Sequence, residues 1–379
     1  MNILITILLV IVVLGLLIFV HELGHYLAAI AIGATVEEFA LGYGPKLISK
    51  KYKGTVYSIR ALPLGGFVKI LGDSDSGSDE EDKKLNDEGN LKNKNKLAQI
   101  FVMLAGVTMN ILLAIFFYYL VLGFSDWSVS LTYDFEDFEP VGAQIVRERD
   151  MDVPYEVIEG DLADQSDMPD EGYILAIDGE KIEYLDDISP LLKGKNLVVV
   201  EACTLEDVCD EYPVRVGEDD KIGIAIGPNY FVNIDYSNNK LFAGFSHLVN
   251  NLRLIGRVFG DLFSIARETG DYSALSQSVS GPVGMFFLVD YFKDLGWIPF
   301  ISLIADLSLS LAIMNILPIP ALDGGRVMIT AIEGILAKDL DPKVEAIIIN
   351  ISFGLLMVFV VVVMVKDIVN IDQLKSLFE

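Results

Sequence analysis

The apolar run from Ile3 to Ile32 carries its only ionisable residues apart from Tyr26 in one place, inside "VLGLLIFVHELGHYLAAIAIGA", where His21, Glu22 and His25 interrupt it. A run of that length is a membrane-crossing helix, and ionisable groups at bilayer depth cost enough that a chain keeping them uses them. In a helix, residues four apart project from the same face, so His21 and His25 have the spacing with which two imidazoles hold one zinc ion. Glu22, about 100° further round, can reach a metal-activated water without being a ligand. A catalytic zinc takes three protein ligands and keeps one position open, so a third ligand must come from elsewhere in the chain.

The rest of the chain supports a polytopic α-helical membrane protein. Hydrophobic residues make up 52% of it and the mean hydropathy is +0.47, too apolar for a soluble enzyme. Further apolar runs follow at 97–124, 297–317 and 346–365, which predicts about four spans. The first is read as a retained span, because "MNILITILLV" has no basic residue and no small-residue cleavage site follows it. Between residues 33 and 96 there are 11 Lys/Arg against 10 acidic residues, and between 125 and 240 there are 8 against 29. The positive-inside rule therefore places the first loop in the cytoplasm and the second segment outside. The net charge of −26 sits mainly on that outer segment, which excludes a nucleic-acid partner.

Composition and patterning divide the chain into a first transmembrane helix with HELGH (1–33), a glycine-rich segment and β-hairpin (34–71), a flexible cytoplasmic loop (72–96) and a second transmembrane helix (97–124). An extracytoplasmic β domain follows (125–238), then an amphipathic helix and pre-span segment (239–295), a third transmembrane helix with a break at LDGG (296–325), a cytoplasmic loop (326–342), and a fourth transmembrane helix with a tail (343–379). The hairpin is expected over Thr55 to Leu71, turning around Pro63 and Gly65-Gly66. Short strand-like runs in the outer domain suit a small, partly open barrel of PDZ type. Cys203 and Cys209 flank a short loop between two of them, and either bridge it or stay as free thiols.

The segment "LAIMNILPIPALDGGRV" is the candidate source of the third ligand. Pro318 and Pro320 interrupt a helix at membrane depth, and Asp323 sits at the break, where pairing with a metal would offset its burial. The other reading makes Asp323 an interfacial residue beside Arg326. Asn110, in the second span, is a polar group in lipid that serves as helix glue or pocket lining. A transporter would also explain intramembrane His, Glu and Asp, although no internal repeat is visible. A catalytically inactive adaptor binding partners through the outer domain is the further alternative.

These motifs together resemble the site-2 protease family of intramembrane zinc metalloproteases, in its bacterial RseP-like branch with a single PDZ domain. "FVHELGHYLAA" resembles the first-span motif, "YSIRALPLGGFVKILGD" the membrane re-entrant β-hairpin, "LAGVTMN" the second-span motif and "NILPIPALDGG" the signature carrying the third ligand. Val107 and Ser310 stand where relatives often have Pro and Asn. The resemblance implies one Zn2+ per chain held by His21, His25 and Asp323, with Glu22 as the catalytic base. It implies substrate binding by the hairpin (Ser58, Ile59, Arg60, Gly65, Gly66), by Asn315 on the broken span and by Asn110. The implied substrates are single-span membrane proteins already trimmed by an upstream site-1 protease, such as anti-sigma factors or remnant signal peptides. The implied location is the bacterial inner membrane, with the lipid bilayer as a further partner and the PDZ-like domain outside.

Overall fold

The computed structural model describes residues 3–72, 88–131, 135, 137–149, 151–158, 160–206, 208–227 and 229–371. Most of the loop expected over 72–96 thus lies outside the described residues, as does the end of the tail. The chain divides into two units, residues 1–124 with 243–379, and residues 125–242.

The first unit begins with α1 (Ile3–Ala31) and α2 (Lys96–Phe124). Both are apolar around their whole circumference, so what distinguishes the packed face is small and polar side chains rather than hydrophobicity. On α1 the buried line runs Val13, Leu17, His21, Gly24 and Ala28, the three-to-four spacing of one helix face. It meets Val102, Gly106 and Asn110 of α2, all buried. The helices touch backbone to side: a Cβ on Gly24 would lie 2.3 Å from the Ala105 carbonyl oxygen.

Between them lies an antiparallel pair, β1 (Val36–Tyr52) and β2 (Thr55–Ile70). One hairpin turn falls at Lys53-Gly54, both at positive φ; the chain reverses again between Ile59 and Gly66, where the sequence suggested the turn, but the two arms flank residues 36–41 and do not pair with each other. Both strands then fold back, so that Glu38, Phe39, Ala40 and Leu41 face Lys69, Val68, Phe67 and Gly66 on one side and Val56, Tyr57, Ser58 and Ile59 on the other. Gly42, Gly44 and Gly65 supply the left-handed backbone that this bending needs. The sheet is held to α1 by aromatic contacts of Phe39 with Phe19 and Tyr26, and by a 2.5 Å hydrogen bond between the Tyr26 and Tyr57 hydroxyls.

After the second unit come α4 (Ala243–Thr269), α5 (Ser273–Gln277), α6 (Pro282–Leu295), α7 (Trp297–Ile316), α8 (Asp323–Leu336) and α9 (Pro342–Val369). Among the described residues, α1, α2, α7 and α9 are long and apolar enough to cross a membrane. The third span stops at Ile316, ahead of Pro318 and Pro320, and Asp323 opens a new helix. Residues 326–342, expected to form a loop, are therefore mostly helical. The overlooked signal is Val327, Ile329, Ile332, Ile335 and Leu336, whose spacing is helical. The pre-span segment is also a helix: Pro282 starts α6, and Asp367 of α9, fully buried, accepts from the backbone N–H groups of Gly281 (2.8 Å) and Gly284 (3.1 Å).

The second unit, residues 125–242, contains two antiparallel sheets. One is built from β3 (Ser128–Leu131), β11 (Tyr230–Asp235) and β4 (Gln144–Arg149), in that order. The other has the order β10 (Ile224–Ile226), β5 (Val153–Val157), β6 (Glu171–Ile177), β8 (Leu197–Cys203), β9 (Cys209–Arg215), with β7 (Glu180–Lys181) paired to β6. Alternate residues such as Ile174, Val198, Val200 and Val214 turn inward onto the short helix α3 (Ile188–Leu192). Cys203 and Cys209, opposite one another on β8 and β9, are disulfide-bonded.

Candidate active site

α1 and the break between α7 and α8 bring three ligand atoms together. His21 Nε2 lies 3.2 Å from His25 Nε2, 3.0 Å from Asp323 Oδ2, and His25 Nε2 lies 3.4 Å from the same oxygen. Metal–ligand bonds of about 2.0 Å in tetrahedral geometry require ligand-to-ligand edges of about 3.3 Å. The triangle thus has the dimensions of one face of a zinc site. Two further observations fit a metal here. Asp323 Oδ2 is buried and faces the two imidazole Nε2 atoms, an arrangement in which one cation serves all three donor atoms. Gly106 of α2 faces the histidines with bare backbone, and a Cβ there would lie 2.4 Å from His25 Nε2 and 2.8 Å from His21 Nε2. No other group of three or more His, Cys, Asp or Glu side chains with this convergence occurs among the described residues.

Both imidazoles are oriented from behind. His25 Nδ1 donates to the Val102 carbonyl at 2.8 Å, leaving Nε2 with a free lone pair. His21 Nδ1 lies 3.3 Å from the side-chain amide of Asn110. Val102 was not legible as part of the site, because a backbone carbonyl leaves no mark on the sequence.

A cavity of about 740 Å³ opens from the triangle and is lined by Glu22, Asn315 and Arg326 as well as the ligands. Residues 65–70 of β2 form its other wall. They pair on one side only within the sheet, and the Val68 N–H reaches back to hydrogen-bond Glu22. Gly66 packs against Glu22 closely enough that a Cβ would sit 3.2 Å from its Cγ.

The structure separates the residues that sequence reasoning grouped as substrate-binding. Gly65, Gly66, Arg60 and Asn315 line the cavity. Ser58 does not: it is buried and donates to Glu38 at 2.6 Å. Ile59 is half-exposed and away from the cavity lining. Both belong to the middle of the folded-over sheet rather than to its edge. Asn110, also placed in that group, has no exposed surface and faces a ligand histidine instead.

Glu38 was missed. Burial acts to raise its carboxyl, but hydrogen bonds from Ser58, Lys46 (3.0 Å) and Arg60 (2.9 Å) outweigh this and hold it below the usual carboxylate range. Its carboxylate fixes the inner face of the sheet at the cavity. The available signal was an acidic residue between strand-forming apolar neighbours in "VEEFAL".

Comparison with known proteins agrees with this geometry. The model of peptidase family M50 matches residues 9–359. A Fusobacterium nucleatum protein that carries the name "putative zinc metalloprotease" is 32% identical over 368 residues, spanning 96% of this chain and 98% of its own. "Membrane metalloprotease ARASP, chloroplastic" of Arabidopsis thaliana is 29% identical over 384 residues, covering 96% of this chain and 79% of its own. "Probable protease eep" of Enterococcus faecalis is 28% identical over 429 residues, covering 96% and 98%.

Proposed function

Because this chain belongs to peptidase family M50, the site-2 protease family of membrane zinc metalloproteases, we propose that it cuts single-span membrane proteins within or near their transmembrane segment. The observation that carries this reading is the convergence of His21 and His25, on a helix long and apolar enough to cross a membrane, with Asp323, beside Glu22 and a one-sided strand.

His21, His25 and Asp323 would hold a zinc ion, which would supply Lewis-acid activation of water and of the scissile carbonyl. Glu22 takes the proton of the attacking water and passes it to the leaving amine. The Val68 N–H holds the Glu22 carboxylate towards the cavity. A transmembrane helix hides its peptide bonds in its own ladder, so the substrate must unwind. Residues 65–70 offer a strand edge on which an extended segment replaces its lost hydrogen bonds. Asn315 and Arg60 line the same cavity, and the Asn315 amide can bond that extended backbone.

The substrates in this reading are already shortened outside the membrane by an upstream site-1 protease, as anti-sigma factors or remnant signal peptides are. The protein sits in the bacterial inner membrane, the β1–β2 sheet is the re-entrant element, and residues 125–242 form an extracytoplasmic PDZ-like domain. Support for the last comes from the antiparallel sheet with α3 before β8 and from its acidic balance. That domain excludes bulky ectodomains or receives the trimmed terminus.

The test is cleavage of a tagged single-span helix lacking its ectodomain, by zinc-loaded wild type and Glu22→Gln in detergent. Wild type cutting within the span, with the variant inactive at equal zinc content, is the expected result. Failure of both on a panel of such helices overturns the proposal and favours a partner-binding role for the outer domain.

A further inference from the structure

α8 turns one polar face inward, and each residue on it meets a different part of the site. Asp323, Arg326, Thr330 and Glu333 follow at intervals of three and four, the spacing of a single helix face. At the far end the Glu333 carboxylate pairs with Lys96, the first residue of α2, at 2.8 Å. Thr330 is buried and donates to the Met103 sulfur at 3.7 Å. At the near end Asp323 reaches the histidines. The other side of the first turn is pressed on the chain before it: a Cβ on Gly324 would lie 2.2 Å from the Ile316 carbonyl oxygen, and one on Gly325 2.1 Å from that of Ile319. α8 is therefore held in register along α2 and against rotation. Arg326, one turn beyond Asp323 on the same face, is directed into the cavity that both residues line.

Arg60 and Lys69 line the same cavity, but they belong to the sheet and are bound into it, Arg60 by Glu38 at 2.9 Å and Lys69 by Glu37 at 3.2 Å. Arg326 comes instead from the helix that carries Asp323. Its charge is offset by the Glu345 carboxylate in the first turn of α9. A guanidinium has five N–H groups in a planar fork, so it can serve that carboxylate on one edge and present another to a substrate. Peptide hydrolysis has a use for such a donor. As the water oxygen adds to the carbonyl carbon, the π pair moves onto the carbonyl oxygen, which turns negative, and a preorganised cationic donor in an enclosed cavity is worth most on that atom. Neither Glu22 nor Asn315 supplies a charged donor for it.

We propose that Arg326 is a catalytic residue whose guanidinium donates to the oxygen of the scissile carbonyl as water adds to the carbon. The electron pair on that oxygen then returns to rebuild the C=O bond, the C–N bond breaks, and the proton that Glu22 took from the water goes to the departing nitrogen. The other hydrogen of the water leaves from the new carboxyl group. Arg326 gives up no proton in the cycle. The role rests on the protease reading of the preceding section and adds to it a residue that acts on the substrate and not on the metal.

The experiment compares wild type with Arg326→Met and Arg326→Lys, as full chains loaded with zinc in detergent, on a tagged single-span helix lacking its ectodomain. Arg326→Met keeps the length of the side chain and removes every donor, and its kcat is expected to fall by about 100- to 1,000-fold with KM unchanged. Arg326→Lys keeps the charge and is expected to recover part of that loss. A second readout is binding of a peptide in which a phosphinate, a tetrahedral anion, replaces the scissile amide. Its affinity for Arg326→Met is expected to fall by the same factor as kcat, while zinc content stays at the wild-type level. A raised KM with unchanged kcat makes Arg326 an anchor for the uncleaved substrate and overturns the role. Loss of zinc in step with activity also overturns it, because Arg326 then merely supports Asp323. Should Arg326→Met fail to fold with the Glu345 charge left behind, Arg326→Met/Glu345→Gln removes both charges and carries the same expectations. Wild type that cuts none of a panel of such helices refutes the protease reading itself, whereas wild type and Arg326→Met cutting at equal kcat refutes this role alone.

Discussion

Replacing Gly106 with alanine tests whether the metal site depends on the closeness of α1 and α2. The added Cβ would stand 2.4 Å from His25 Nε2 and 2.8 Å from both Nε2 and Cε1 of His21. Non-bonded carbon contacts are comfortable at about 3.5 Å, so His25 must retreat by about 1 Å. The donor triangle has edges of 3.0 to 3.4 Å, and a working site tolerates about 0.2 Å in its metal–ligand distances. The required displacement is several times that tolerance. An added methyl in a packed interior also costs about 1–3 kcal/mol, which a membrane protein of this size survives. The expected outcome is a folded variant whose zinc content falls well below one per chain after dialysis against a chelator, with proteolysis lost in proportion. Metal analysis, thermal unfolding and cleavage of a single-span substrate read the three quantities. A Gly106→Ala protein that retains one zinc at wild-type affinity would refute the dependence of the metal site on the close approach of α1 and α2.

Other consequences can be checked separately. Burial of His247 against α2, with its ring 4.7 Å from that of Tyr118, pushes its imidazole down from the ordinary 6.5 to about 4. It therefore contributes stability that is complete above about pH 6.5 and is lost as pH falls toward 4, up to about 3 kcal/mol. His247→Phe should flatten that part of the pH dependence of unfolding, and equal slopes for both proteins would contradict it. Reducing the Cys203–Cys209 bond, whose residues are 6 apart in sequence, should cost the unit of residues 125–242 about 2 kcal/mol and leave cleavage of a substrate without an ectodomain unchanged. Ser58→Ala removes a hydrogen bond to buried Glu38 and should lower thermal stability by about 1–2 kcal/mol. A rise in KM without loss of stability would instead return Ser58 to the substrate site.

What the sequence revealed, and what it hid, follows from how strongly each residue violates its surroundings. His21, Glu22, His25 and Asp323 stand out because charge and metal-binding groups in apolar runs have few physical justifications, and the proline-broken helix before Asp323 narrows them further. The sheet is legible as strands with a reversal around Pro63 but not as to which strands pair, because alternation identifies strands without saying which are neighbours. The segment 36–41 takes neighbours on both sides, and that choice is made by Gly42, Gly44 and Gly65 together with the aromatic contacts to α1, none of which is visible as a pattern. Asn110 was legible as helix glue or pocket lining, and it contacts His21 of α1 and Ser308 of α7. A polar side chain in lipid announces that it needs a hydrogen bond, not with whom, and the partner here lies on a helix 89 residues away in sequence. The same reasoning explains why the metal matters to the fold as well as to the chemistry. α1 and α8 lie far apart in the sequence, yet they meet where a buried carboxylate oxygen faces two imidazole nitrogens. A cation held among these three donors would tie the two segments together.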